Sequence, residues 1–310
     1  MSATRGHPGD RAGDSRVSAL PGIRLIATDL DGTLLDESGA VSPRTRAALQ
    51  AARDAGIETI PVTARQPVGL RPIAEQAGFD SWALCGNGAY GLHLSTQEHL
   101  FAEEIPADVQ GELARALLES IPDLVFASVR DAGEGFVAQH GYAALAQLSD
   151  HKRDPEAMGG VALDEVVGSP SLKLVIRHAS VPIDEIFDAL NALGLTGFAA
   201  TLSGAPFVEV MAQGVTKATG LAQVCERLGV EAHEVLAFGD ALNDLEMLQW
   251  AGHGVAMGNA IDVVRDAADE VTAANADDGV ARVIERMLRG RPAGGYTPIV
   301  PVCTAPGSGA

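Results

Sequence analysis

Two aspartates separated by one leucine, in Asp29-Leu30-Asp31-Gly32-Thr33, are the residues of this chain most plainly placed for chemistry. The residues before them, Ile23 to Thr28, form a short, largely apolar run like a strand buried in a parallel sheet. Residues two apart in an extended chain share a face, so Asp29 and Asp31 are expected to point the same way and Leu30 back. Gly32 then allows a sharp turn. Carboxylates crowded at the carboxyl end of a buried strand repel each other, and a divalent cation between them relieves the repulsion; such an oxygen-rich site suits Mg²⁺. The same five residues also fit an Asp-Gly turn whose acids face water, and by themselves they leave both readings open.

Further polar groups fall at the ends of other expected elements. A strand over Ile57–Val62 ends on Thr63-Ala64-Arg65, a hydroxyl and a guanidinium that suit phosphate oxygens but also a capped turn and a solvated arginine. Thr216 is a good N-cap for a helix Lys217–Leu228 stopped by Gly229. Lys217 then sits in the first turn, where the macrodipole disfavours a cation, unless lysine and helix terminus share an anion. A strand Val235–Phe238 leads into Gly239-Asp240-Ala241-Leu242-Asn243-Asp244. A helix from about Asp240 to Gln249 would put Asp240, Asn243 and Asp244 on one face, although acids are favoured at helix starts for their own sake.

These groups need a scaffold of strands and helices to bring them together. Ser42 and Pro43 read as N-cap and first residue of a helix that runs to Ala55 and stops at Gly56. With its flanking strands it makes a βαβ unit. Pro61 lacks an amide donor and is expected near the strand end or at a bulge. A helix Val68–Ala77 and a strand Trp82–Cys85, ending at Gly86-Asn87-Gly88, follow. From about Gly88 to Gly214 hairpin-like and helical runs alternate, as in an α+β module whose antiparallel sheet is covered by helices on one face. After Gly214 the βα texture resumes, with strands Gly254–Met257 and Glu270–Thr272 and a closing helix Val280–Leu288. The expected division is a Rossmann-like α/β core over residues 21–87 and 214–288, with an inserted module over 88–213. Residues 1–20 and 289–310 read as disordered, linker-like tails.

The chain has 310 residues, enough for roughly two domains with proper cores. Its net charge of −19 argues against a nucleic-acid or anionic-membrane surface, so any phosphorylated ligand must be drawn in by local cations. Cys85, Cys225 and Cys303 show no metal-ligand spacing and read as reduced thiols. His140, His151 and His178 likewise lack ligand spacing and read as surface or hydrogen-bonded residues. No signal peptide and no apolar run of spanning length is legible, so a cytoplasmic location is expected.

Taken together and in this order, Asp-Leu-Asp-Gly-Thr, the Thr63 strand end, Lys217 and Gly-Asp-Ala-Leu-Asn-Asp resemble the haloacid dehalogenase-like superfamily, in particular its Cof-type branch with a large α/β cap (subclass IIB). The resemblance covers nearly all of residues 23–288. It implies an Mg²⁺-dependent phosphatase of small phosphate monoesters, such as sugar phosphates or phosphorylated cofactors. In that reading Asp29 is the nucleophile and Asp31 the acid/base, whose pKa should be raised. Thr63, Lys217 and Asn243 hold phosphate, while Asp29, Asp31 (through its backbone carbonyl) and Asp240 hold the metal. Asp244 and Arg65 support them. Ala64 stands where the family usually has glycine, which bears on the geometry of the Thr63 loop. A phosphomutase or phosphotransferase using the same site, and a catalytically idle binding protein on the same fold, remain as alternatives.

Overall fold

The computed structural model describes Leu20 and residues 22–290. The expected tails, apart from Leu20, Arg289 and Gly290, lie outside the described residues, as does Cys303. In chain order the strands are β1 Leu25–Thr28, β2 Glu58–Pro61, β3 Trp82–Cys85, β4 Tyr90–His93, β5 His99–Ala102, β6 Val125–Arg130 and β7 Gly135–Ala138. They continue as β8 Lys173–Arg177, β9 Phe198–Thr201, β10 Val208–Ala212, β11 Val235–Gly239, β12 His253–Ala256 and β13 Glu270–Val271. The helices are α1 Pro43–Asp54, α2 Pro67–Ala77, α3 Ala107–Ser120, α4 Leu148–His151, α5 Leu163–Val167, α6 Ile183–Ala192, α7 Lys217–Leu228, α8 Leu245–Trp250, α9 Asp262–Ala267 and α10 Gly279–Arg289.

All residues of β1 are buried, as an apolar strand of a covered parallel sheet must be. It pairs in parallel with β11 on one side and β2 on the other, within the order β13-β12-β11-β1-β2. Asp29 therefore leaves the carboxyl end of the sheet's interior, beside the end of β11 that delivers Asp240. Pro61 closes β2, as expected near a strand end. The next amide, that of Val62, donates to the Thr28 carbonyl, so the nitrogen of Pro61 faces away from β1 and no rung of that ladder is lost. A bridge from Val62 to Leu84 then carries the parallel arrangement on to β3.

The second sheet is antiparallel, in the order β7-β6-β8-β10-β9. Its alternation decides what meets the rest of the protein. Leu174 and Ile176 of β8 and Val208 and Val210 of β10 pack with Leu113, Leu117, Ile186 and Leu190 of α3 and α6. Lys173, Val175 and Arg177, with Glu209 and Met211, occupy the opposite face by the two-residue period of a strand. The hairpin β4–β5, which a division at residue 88 assigns to the inserted module, contributes Tyr90, Leu92 and Phe101 to the hydrophobic cluster of the parallel sheet. No described helix is long and apolar enough to cross a membrane.

One backbone contact aligns the first turn of α7 with the core. Gly88 has φ +92°, and a Cβ there would lie 2.3 Å from the Thr216 carbonyl oxygen. Gly220, inside α7, faces back so that a Cβ would lie 2.7 Å from the Gly88 carbonyl oxygen. Helix propensity alone favours Gly220→Ala by about 1 kcal/mol. Here the contact is with backbone that cannot swing aside, so overpacking should win and Gly220→Ala should lose about 1–3 kcal/mol. A lower urea midpoint with unchanged slope is expected; a raised midpoint would show that the two segments are not in forced contact.

Candidate active site

The turn after β1 closes upon the acid delivered by β11. The Asp29 amide donates to the Phe238 carbonyl at 3.0 Å, fixing the start of the turn against β11. Gly32 follows at φ +85°, and a Cβ on it would lie 2.4 Å from Asp240 Oδ2, so no other residue fits there without moving that carboxylate. The Thr33 hydroxyl donates to Asp240 Oδ1 at 2.6 Å, and Asn259 donates to the Gly32 carbonyl at 2.8 Å. Asp240 itself precedes a short turn, Leu242–Asp244, and the helix begins only at Leu245, later than the expected start near Asp240. The cause is Asp244, whose Oδ2 accepts from the amides of Asp240 and Ala241 and winds the segment into a cap.

Lys217 is the centre of the cluster. Its Nζ donates to Asp29 Oδ1 at 2.5 Å and to Asp244 Oδ1 at 2.6 Å, with all three side chains buried. The expected anion near the start of α7 is thus a pair of the protein's own carboxylates. Burial alone would lower the Lys217 pKa, but the two acids hold it above the usual lysine value. Asp29 is pushed the other way: burial raises its pKa well above the usual range, Lys217 opposes this, and Asp244, Asp240 and Asp31 add to the rise. Asp240 is raised to about 6, chiefly by burial and by Asp244.

Three carboxylates, of Asp29, Asp240 and Asp244, offer oxygens within 4.8 Å of one another, and one ammonium pairs with two of them, Asp29 and Asp244. The donor set is all oxygen and over-negative, which fits a hard dication such as Mg²⁺. Asp244 has both oxygens engaged by Lys217 and two amides. Asp29 and Asp240 retain the oxygens not taken by Lys217 and Thr33, so they are the better candidates for ligands.

Asp31 is where the expectation needs correcting. Its side chain does not join Asp29 but is half-exposed and held by Arg65, with Nε to Oδ2 at 2.7 Å and Nη2 to Oδ1 at 2.6 Å. The sequence leads one to expect a raised Asp31 pKa; burial does push it up, but the two hydrogen bonds and the charge of Arg65 reverse that and bring it below the usual value. Asp31 is therefore ionised in this arrangement. Thr63 is buried, and its hydroxyl accepts from the Arg65 amide. Of the tripeptide, Ala64 and Arg65 line the cleft.

Three residues that sequence reasoning did not single out join the cluster. Asn243 donates to Asn87 Oδ1 at 2.9 Å, and Asn87 donates to Glu209 Oε2 at 3.0 Å. Lys173 donates to Glu209 Oε1 at 2.5 Å and to the Ala64 carbonyl at 2.9 Å. Buried Lys173 and Glu209 stand on the antiparallel sheet, so this chain of hydrogen bonds ties the inserted module to the Thr63–Arg65 loop and to Asn243. The Asn243 Oδ1 is buried without a partner among the described residues. A cavity of about 450 Å³ lies between the two modules, lined among others by Asp29, Asp31, Asp240 and Asn243 on one side and by Lys173, Phe207 and Glu209 on the other.

The profile of the haloacid dehalogenase-like hydrolases matches residues 26–284. This chain belongs to that family. Among curated relatives, it is 32% identical over 273 residues to the pyridoxal phosphate phosphatase YbhA of Escherichia coli, covering 86% of this chain and 98% of the relative. It is 29% identical over 272 residues to the 5-amino-6-(5-phospho-D-ribitylamino)uracil phosphatase YcsE of Bacillus subtilis, covering 86% and 96%. The haloalkanoate-superfamily phosphatase BT1666 of Bacteroides thetaiotaomicron superposes with TM-score 0.73 at 27% identity, over 90% of this chain and 99% of that one. The fold is also that of the subclass IIB sugar phosphatase BT4131, with TM-score 0.72 at 23% identity over 84% and 98%. The Cof-type resemblance and the α/β fold class are thus confirmed.

The link between the modules can be tested by itself. Lys173→Met leaves Glu209 buried without its cation and should cost about 3–5 kcal/mol. Adding Glu209→Leu removes the stranded charge and should restore most of that loss in denaturant unfolding. A double variant no more stable than the single one would show that these charges are not each other's partners.

Proposed function

We propose that this family member is an Mg²⁺-dependent phosphatase that cleaves small phosphate monoesters through an aspartyl-phosphate. The observation that carries the reading is the convergence of Asp29, Asp240 and Lys217 in one buried, over-negative cluster open to the cavity. Asp29 and Asp240 would hold the metal together with the Asp31 carbonyl, and the bound dication would screen the approach of an anionic nucleophile to an anionic phosphoryl group. The names of the relatives support phosphorylated cofactors and their precursors as the substrate class.

In this mechanism Asp29 attacks phosphorus in line, the phosphorus–ester oxygen bond breaks, and Asp31 gives its proton to the departing oxygen. Water then attacks phosphorus of the aspartyl-phosphate. Asp31 takes the proton of that water, and inorganic phosphate and free Asp29 result. Lys217 keeps the Asp29 carboxylate oriented, while Thr63 and Asn243 are assigned to the phosphoryl oxygens. Asp31 can serve as acid only after Arg65 releases it. An incoming phosphate competes for the guanidinium, and its negative charge raises the Asp31 pKa as the ion pair opens. Arg65 thus has two anions to choose between, which gives it a larger part than support.

Hydrolysis of 4-nitrophenyl phosphate should vanish on chelation and return with Mg²⁺. Asp29→Asn should lose activity by several orders of magnitude, and full turnover by that variant would end the nucleophile assignment. Nitrophenolate leaves readily without a proton, so Asp31→Asn should still be phosphorylated and then stall. Phosphoenzyme trapped by acid quench is the expected result; unchanged steady-state turnover would remove Asp31 from the acid/base role.

A further inference from the structure

Across the cavity from Asp29, the inserted module presents one imidazole in a closed frame. His151 ends α4 and is 7% exposed. Phe207 is stacked on its ring at 4.8 Å between centroids and 19° between planes. Phe136 lies on the ring at 4.8 Å and 45°. The Tyr142 hydroxyl is 2.7 Å from Nε2. Aromatic neighbours and one ring nitrogen are thereby accounted for, and the Nδ1 edge is what remains.

The tautomer follows from satisfying the buried tyrosine. Tyr142 is fully buried, and among the described residues His151 Nε2 is the hydrogen-bond partner of its hydroxyl. The phenolic proton therefore goes to His151 Nε2. The reverse assignment would strand a buried O–H, at a cost of about 1–3 kcal/mol. With Nε2 accepting, the proton of a neutral imidazole is on Nδ1. Burial pushes the His151 pKa down to about 3, Lys173 and Arg177 add to that, and Asp150 opposes it, so the ring is neutral at physiological pH. Nδ1 has no partner among the described residues and is not sealed from solvent. His151 and Phe207 both line the cavity that Asp29 enters from the other side.

We propose that His151 is a specificity-determining residue whose Nδ1–H donates to a neutral oxygen or nitrogen acceptor on the organic part of the phosphate ester. The inference rests on the phosphatase reading and deepens it. A neutral donor held in an aromatic frame selects a hydroxyl, carbonyl or ring-nitrogen acceptor and gives no preference to a second anionic group. A site built around such a donor discriminates against analogues that lack the acceptor, because the N–H is then left unpaired. The preferred substrates are monoesters whose leaving group carries such an acceptor.

The experiment compares kcat/KM for glucose 6-phosphate and pyridoxal 5′-phosphate, which carry acceptors, with phenyl and butyl phosphate, which do not. His151→Phe keeps a ring in the stack and removes the donor; His151→Asn restores an N–H close to the position of Nδ1. For the better acceptor-bearing ester, His151→Phe should lose roughly tenfold to a hundredfold in kcat/KM, carried mainly by KM. The asparagine variant should recover part of that, and phenyl and butyl phosphate should be unaffected by either change. Equal losses on all esters, or none, in an active enzyme would overturn the role of His151 and leave the phosphatase reading standing. A wild-type protein inactive on every ester would overturn both. The tautomer is read separately from ¹⁵N-labelled imidazole spectra at pH 7: a neutral ring protonated at Nδ1 is expected, and protonation at Nε2 would remove the donor.

Discussion

The ammonium of Lys217, held between Asp29 and Asp244, is the interaction on which the rest of the site depends. A buried lysine is tolerated only if its charge is matched, and buried carboxylates only if theirs is. One cation among several acids satisfies the first condition and falls short of the second. Burial together with that shortfall leaves the pKa values of Asp29 and Asp240 raised and makes the cluster receptive to a further positive charge. The fold is arranged to keep that imbalance in place. β1 and β11 are neighbours, so their ends deliver Asp29 and Asp240 together, and the glycine contact between Gly88 and Gly220 sets the start of α7 where Lys217 can reach both partners.

The inserted module completes the cavity through strand alternation. Apolar residues of β8 and β10 face their helices, which leaves Lys173, Arg177 and Glu209 on the side turned to the core. Two buried ion pairs result, Lys173 with Glu209 and Arg177 with Asp150. The first reaches across to the Ala64 carbonyl, so the loop that carries Thr63 and Arg65 is held partly from the opposite module. Ala64, in a position where the resemblance leads one to expect glycine, thereby has a carbonyl fixed from outside its own loop.

Much of this was legible in the sequence for a physical reason. The parallel strands are apolar runs that stop on polar residues, and Thr216 and Ser42 announce helix starts by their own chemistry, as their accepted amide hydrogen bonds show. Asp29, Lys217 and Asp240 could be grouped because each follows such a boundary. The short helix α4 has no apolar period long enough to detect, and the hairpin β4–β5 is too brief to announce a turn. The direction of Asp31 could not be read either, since two-residue alternation ends with the strand at Thr28 and the next residues turn. Lys173 and Glu209 did leave a signal. Each is a charged residue inside or at the head of a largely apolar strand, in Lys-Leu-Val-Ile-Arg and Val-Glu-Val-Met-Ala, and such residues need a buried partner.

The charges of the site also resolve a tension in the composition. A chain of net charge −19 repels anions overall, yet cations stand at and beneath its cavity, three of them already committed to acids and Lys152 held by the Ser149 carbonyl. Lys217 is shared by Asp29 and Asp244, Lys173 serves Glu209, and Arg65 serves Asp31. The buried pairs have no water to fall back on, so they hold position. Arg65 and Asp31 form the pair with a half-exposed acid, which makes it the least costly to open. An arriving anion therefore meets a graded set of cations, rigid at the base of the cleft and exchangeable at its mouth. The partner of Arg65 then sets whether Asp31 is ionised, so the charge of the ligand and the protonation of the neighbouring acid change together.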